Sequence, residues 1–471
     1  MKQTARTELQ RELGPWAAAS IVVGTVIGSG VFLVPHDMIL RVGTQGWVLV
    51  VWIFGGLLTL AGALSYAELA AAVPEAGGEY AYLREAYGPV WGFLYSWTQM
   101  WVAKSGSIAT LATGFFYYLA NFFPLLDRVF YRLPLPLGPH GAPLEFRWGQ
   151  LLAIVLIAAL AWLNYFGVKW GGSVQTGVTA VKVVLIAGII AAGLGFGSPH
   201  SPAPVAAAPL TAAGFFAALV AALWAYDGWN NVAMVASEVR DPQRNLPRAL
   251  VGGTLGVIAI YVLANAAYFR VLSPAEVGAN PRVAGEMMRR ILGGGGAGAV
   301  SIAAMISIFA ALNGSILSGA RVPYAAARQG YFFRAVGRVD ARHHTPGVSI
   351  LSLCAWSAVL ALSGGYAQLF TYVIFSSWIL YGMTAASVIV LRINQPDLYR
   401  PFYTPGYPWV PVLFVLVAAA FIISTLLDSP RESLLGLCLI ALGLPFYAYW
   451  SHNRNTIVPK STAADDMEPP V

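Results

Sequence analysis

Twelve apolar runs, each close to the length that crosses a bilayer, decide what this chain can fold into. They lie near 15–40, 46–72, 90–121, 150–166, 172–195, 212–236, 249–271, 297–326, 347–363, 366–392, 409–427 and 432–450, and a helix needs about 20 apolar residues to cross the hydrocarbon core. No stretch alternates with the period of two that a membrane barrel requires. The expectation is an all-α multi-pass membrane protein with 12 transmembrane helices. Composition agrees, since 10% of the residues are charged against about 25% in soluble domains. The net charge of +7 does not mark a nucleic-acid binder, because the basic residues are spread through short loops instead of gathered on one face.

Those basic residues set an orientation instead. With the N-terminus inside, sixteen Lys and Arg fall in inner segments and nine in outer ones, so the positive-inside rule puts both termini in the cytoplasm of a cell (inner) membrane. The residues before Trp16 carry no apolar core, so no cleavable signal precedes the first span. The outer segment 122–149 is rich in Pro and Gly and reads as an irregular loop. The outer segment 273–290 reads as a short surface helix, a candidate lid. The tail after Ser451 is expected to be disordered. Cys354 and Cys438 both sit inside apolar runs, so no disulfide framework is implied.

Two of the runs are anomalous. Gly24-Thr25-Val26-Ile27-Gly28-Ser29-Gly30 puts glycine in mid-membrane, and Trp224-Ala225-Tyr226-Asp227-Gly228-Trp229-Asn230 puts polar residues and a glycine there. A helix opened in hydrocarbon frees amides and carbonyls, which is tolerated only where they line a cavity or meet a ligand. Each break falls about fourteen residues into its run, and each run heads a group of five. The chain therefore reads as a cytoplasmic segment (1–14), a first inverted repeat (15–195), a second (212–392), two peripheral helices (409–450) and a tail (451–471). Inverted repeats with paired broken helices are the architecture of alternating-access transporters. An enzyme is not expected: every histidine lies at a span end, in a loop or in the tail, and no His-Glu-x-x-His occurs. No metal or cofactor is implied, and a non-transporting channel or sensor is a remote alternative.

At these segments the sequence resembles the L-type amino acid transporter family of the amino acid-polyamine-organocation superfamily. Ser65 to Leu69, Pro74 to Tyr80, Glu238 to Pro247, Asn313-Gly314-Ser315, Ser318, Arg321, Phe375 and Trp378 agree with it too. The resemblance implies the LeuT-like fold of ten helices in two inverted repeats plus two more, and sodium-independent exchange of amino acids. The family's animal members join a heavy chain through a loop cysteine; segment 122–149 has none, so no disulfide-linked heavy chain is expected.

The site can then be drawn from the residues. Amides of the restarted first helix, near Ser29 and Gly30 after Gly28, suit an α-carboxylate. The carbonyls of Val26 and Ile27, with those of Trp224, Ala225 and Asp227 before and around Gly228, suit an α-ammonium. By resemblance, Trp224 closes over the substrate as a gate while Phe375 and Trp378 shape the side-chain pocket. Asp227 either pairs with a cationic side chain or caps the restarted sixth helix; small or medium neutral amino acids come first and cationic ones second. Lys182 lies deep in the fifth run, where a lone charge costs at least about 2.5 kcal/mol. By resemblance its ammonium fills a cation site between Gly24 and Ser318, and the alternative is that it couples a proton.

Overall fold

The computed structural model describes residues 8–134, 143–197, 210–363, 366–428 and 430–457. Among them are nine helical stretches long and apolar enough to cross a membrane, and the protein is a multi-pass helical membrane protein. Apolar side chains point outward as freely as inward: Val155, Val184 and Leu416 are 61%, 70% and 62% exposed, which suits a lipid-facing surface where burial alone does not drive helices together.

Helices α1 (Pro15–Val26) and α2 (Gly30–Val42) are the two halves of the first run. Helix α3 (Gln45–Ala72) and the short α4 (Glu79–Tyr87) follow. Helix α5 (Pro89–Thr98) passes through a π-turn, Gln99–Ala103, directly into α6 (Lys104–Leu119). Such turns are rare and concentrate at functional sites; this one sets the facing of Lys104. The outer segment expected to be irregular instead holds an antiparallel hairpin of β1 (Val129–Leu133) and β2 (Leu144–Arg147), with Arg132 opposite Glu145 and paired to it at 3.1 Å. Alternation in these short strands is hidden in sequence by the surrounding Pro and Gly. Helices α7 (Trp148–Tyr165) and α8 (Val168–Phe196) complete this half.

The sixth run is also divided, into α9 (Ala212–Ala225) and the single turn α10 (Asn231–Met234), followed by α11 (Pro242–Val271). The candidate lid is two helices, α12 (Pro274–Ala279) and α13 (Val283–Leu292); Ser273 caps α12 reciprocally with Glu276, a pattern that satisfies two end groups at once. Then come α14 (Gly294–Gly319), α15 (Arg321–Arg328), α16 (Gly347–Ser363), α17 (Tyr366–Asn394), α18 (Trp409–Asp428), α19 (Pro430–Ala441) and α20 (Gly443–Ile457). The tail is thus helical beyond Ser451 as far as Ile457, and its expected disorder otherwise concerns residues 458–471, outside the described ones.

The two ends of the molecule differ. On the side of the N-terminal segment, Leu13 bridges to Val239, with Leu13 N–H on Glu238 O at 2.9 Å and Arg240 N–H on Leu13 O at 2.9 Å. Beneath it Arg321 grips Glu238 through two bonds of 2.7 and 2.9 Å, both side chains fully buried. That end is sealed. On the opposite side, below the hairpin and α12–α13, a vestibule of about 940 Å³ descends to Ser29.

Candidate substrate site

The first break follows from one diverted hydrogen bond. In a continuous helix Gly28 N–H would reach Gly24 O; here it turns back to Val26 O at 2.8 Å, and Ile27–Ser29 leave the helix. Gly24 O is orphaned, and Lys182 supplies its donor. The Lys182 ammonium, fully buried, donates to Gly24 O at 2.7 Å, Ile27 O at 2.6 Å and Ser307 O at 3.2 Å. Its three protons thus meet three carbonyls, two of them released by the break. Ser307 Oγ adds a bond to Ile27 O at 2.8 Å. Ser318, expected beside Lys182, instead donates to Gly314 O in its own helix at 2.8 Å. It lies about 16 Å further along α14 than Ser307, eleven residues at 1.5 Å each.

The two breaks are tied to each other. Thr25 Oγ1 lies 2.6 Å from Ile21 O and 2.7 Å from Gly228 O. Gly228 has φ +104°, and a Cβ there would stand 3.1 Å from the Thr25 carbonyl; only glycine fits both the conformation and the space. The Tyr261 hydroxyl, on α11, sits 3.0 Å from Val26 O and 2.9 Å from Ala225 O, between the last carbonyls of α1 and α9. Gly30 completes the approach, since a Cβ on it would come within 2.6 Å of Ala225 Cβ.

Between the breaks lies a cavity of about 50 Å³, room for a few waters, so the site is contracted in this conformation. Of the residues expected there, Val26, Gly28, Ser29, Gly30, Trp224, Ala225, Asp227 and Gly228 line it. Three do not. Ile27 O is occupied by Lys182 and Ser307, which makes that peptide part of the scaffold. Phe375 stands against α19, 3.1 Å from where a Cβ on Gly436 would be. Trp378 stacks on Phe414 and Phe421 of α18, with ring centroids 5.7 and 4.9 Å away. Helix α17 turns both aromatics toward the peripheral helices, and one turn later presents Tyr381, whose hydroxyl donates to Asp227 Oδ1 at 2.9 Å. Asp227 does not cap the restarted helix: α10 begins at Asn231, with Asn230 in the cap position and no side-chain cap bond.

The sequence reading missed one wall. Lys104, Ser107, Thr110 and Leu111 of α6 line the cavity, with Thr25, Asn231 and Ser315, and Lys104 donates to Asn231 Oδ1 at 2.6 Å. The amides of Gly30 and Val31 at the start of α2 lie ahead of its first backbone bond, Phe32 N–H on Ser29 O at 3.1 Å, and carry the positive dipole end. Ser29 lines both this cavity and the vestibule, marking the way in. The arrangement can hold a small zwitterion: amide donors on one side, carbonyl and carboxylate oxygens on the other, hydroxyls around the remainder.

Comparison with known proteins agrees with this geometry. Residues 13–442 match the model of the amino acid permease family. The b(0,+)-type amino acid transporter 1 of Mus musculus is 32% identical over 446 residues, covering 94% of this chain and 88% of that protein. The serine/threonine exchanger SteT of Bacillus subtilis (strain 168) is 33% identical over 448 residues, 93% of this chain and 96% of that protein. The large neutral amino acids transporter small subunit 2 of Homo sapiens is 32% identical over 462 residues, 94% and 82% respectively. With the family model matched along nearly all its length, the chain belongs to the amino acid permease family.

Proposed function

We propose that this protein is a sodium-independent amino acid exchanger working by alternating access, with small or medium neutral amino acids as substrates. The observation that carries the reading is the pair of broken helices opening on one cavity, with the Lys182 ammonium built in where a transported cation would otherwise satisfy the freed carbonyls of Gly24 and Ile27. Relatives named as amino acid transporters and as a serine/threonine exchanger support it. The small cavity and the hydroxyls of Ser107, Thr110 and Ser315 favour small side chains that accept or donate hydrogen bonds. The twelve-helix, five-plus-five inverted arrangement, cytoplasmic termini and residence in the cell membrane complete the proposal. In it the seal at Leu13, Glu238 and Arg321 is the cytoplasmic gate, and Trp224 is the outer one.

A second reading has its own support. Asp227 lines the cavity, accepts from Tyr381 and makes no cap to α10, which supports a carboxylate that meets a cationic side chain, and substrates then include lysine and arginine. Proteoliposomes test both readings: uptake of labelled serine should require unlabelled amino acid inside and persist without sodium. Uptake into empty vesicles that follows a sodium gradient overturns the exchange reading. Selective loss of lysine and arginine competition in Asp227→Asn supports the cationic reading, and retained competition removes it.

A further inference from the structure

The mechanism above leaves unused a buried acid that forms no ion pair among the described residues. Glu79 opens α4, in the connection between two spans, and is fully buried. Its Oε1 accepts from Asn230 Nδ2. Its Oε2 is buried and makes no hydrogen bond of standard geometry among the described residues, with the Tyr95 hydroxyl as its neighbour. Among the described residues no cationic group forms an ion pair with it. A carboxylate in such surroundings is costly, and protonation removes the buried charge.

The position links this acid to the cavity. Asn230, which holds Glu79, and Asn231, which holds Lys104 in the cavity wall, are consecutive residues where the sixth helix restarts. The groups facing Glu79 are Tyr66 from α3, Tyr82 from α4 itself, Tyr95 from α5, Lys104 from α6 and Tyr381 from α17. Lys104 is the one cation among them, and it also attracts Asp227. Ionising Glu79 therefore sets two carboxylates competing for one ammonium.

We infer that Glu79 is a proton-binding site, protonated in the conformation described here, whose occupancy sets the position of the Asn230–Asn231 turn and so the rate of exchange. The proton comes from water and returns to it; no other bond forms or breaks. Burial, opposed by the Asn230 bond, raises the pKa of this carboxyl to about 7, so the protonated fraction falls about tenfold between pH 6 and pH 8. The inference rests on the exchange reading for its effect on rate but not for the site itself.

Two measurements test it. In sodium-free proteoliposomes, serine exchange should fall about tenfold from pH 6 to pH 8 in the unmodified protein, and Glu79→Gln should abolish that dependence. A flat profile in the unmodified protein, or an unchanged one in Glu79→Gln, overturns the role in transport. Infrared difference spectra of purified, substrate-free protein should show a carboxylic acid band at pH 6 that is lost by pH 8 and absent from Glu79→Gln. If Glu79→Gln does not fold, Tyr95→Phe should move the midpoint of that band upward, because the hydroxyl favours the ionised acid. No titrating band, or an unmoved midpoint, overturns the site whether or not exchange is observed.

Discussion

Tyr261→Phe isolates the coupling between the two broken helices. The substitution keeps the ring, which packs edge-on against Trp52 with centroids 5.1 Å apart and tilted against Tyr226, also at 5.1 Å, and removes only the hydroxyl. The one Tyr261 hydroxyl proton is shared between two carbonyls, and Val26 O keeps Gly28 N–H at 2.8 Å without it. Ala225 O loses the donor that Tyr261 supplies at 2.9 Å, at the end of a helix where no further turn follows. An unsatisfied buried carbonyl costs about 1–3 kcal/mol, and the cost falls only on conformations that bring α1 and α9 together over Tyr261. That corresponds to a shift of about 5- to 150-fold in the balance between this conformation and its alternatives. Measured as exchange in proteoliposomes, KM for serine should change by at least about fivefold while thermal unfolding in detergent remains a single transition. Wild-type KM and maximal exchange rate in Tyr261→Phe would refute the reasoning, since the hydroxyl would then hold neither break.

Three further outcomes follow from the same geometry. Lys182→Met leaves Gly24 O without its donor at 2.7 Å and should cut exchange at least tenfold without restoration by sodium, checked in vesicles with and without the ion; rescue by sodium would mean that the ammonium only excludes a cation that can still bind. Arg321→Gln leaves Glu238 buried without its guanidinium, a loss of about 3–5 kcal/mol, and should lower the unfolding temperature or speed cysteine labelling of the sealed end, read by a reporter cysteine placed at Leu13. At α12, the Arg290 guanidinium and then the Ser273 amide hold the half-exposed Glu276 carboxyl down to about 2. Because that folded value lies below the usual carboxylate value of about 4.3, its stabilisation is complete above about pH 4.3 and is lost as pH falls toward 2. Amide protection across 273–290, corrected for the intrinsic pH dependence of exchange, should therefore fall between about pH 4.3 and about pH 2, and Glu276→Gln should show the lower protection already at about pH 5.

The breaks and the buried lysine were legible in sequence for a shared reason. Glycine, aspartate and lysine in mid-membrane are costly unless something compensates, so their presence marks a place even when the compensation is unseen. What compensates was not legible. Tyr261 and Ser307 lie in ordinary-looking spans, and only tertiary packing brings their hydroxyls to the freed carbonyls. Ser318 came from resemblance, and nothing local marks Ser307, another small polar residue on the same small-residue-rich helix. Phe375 and Trp378 were assigned by resemblance alone; in this conformation they pack on the peripheral helices, a facing that the scattered polar residues of α17 do not reveal. Lys104, Ser107, Thr110 and Leu111 do fall on one stripe of α6, but that run carries no break, and the π-turn before Lys104 sets which way the stripe faces. The outer hairpin was masked by the composition of its own loop.

A structure of the protein with a bound amino acid decides the matter most directly. Electron density for L-serine should appear between the two breaks, its carboxylate on the amides from Ser29 to Val31, its ammonium toward Ala225 O and its hydroxyl among Ser107, Thr110 and Ser315, with Lys182 still on Gly24 O. Density confined to the vestibule, or a substrate carboxylate paired to Lys182 with the first helix reclosed, would contradict the assignment of the site.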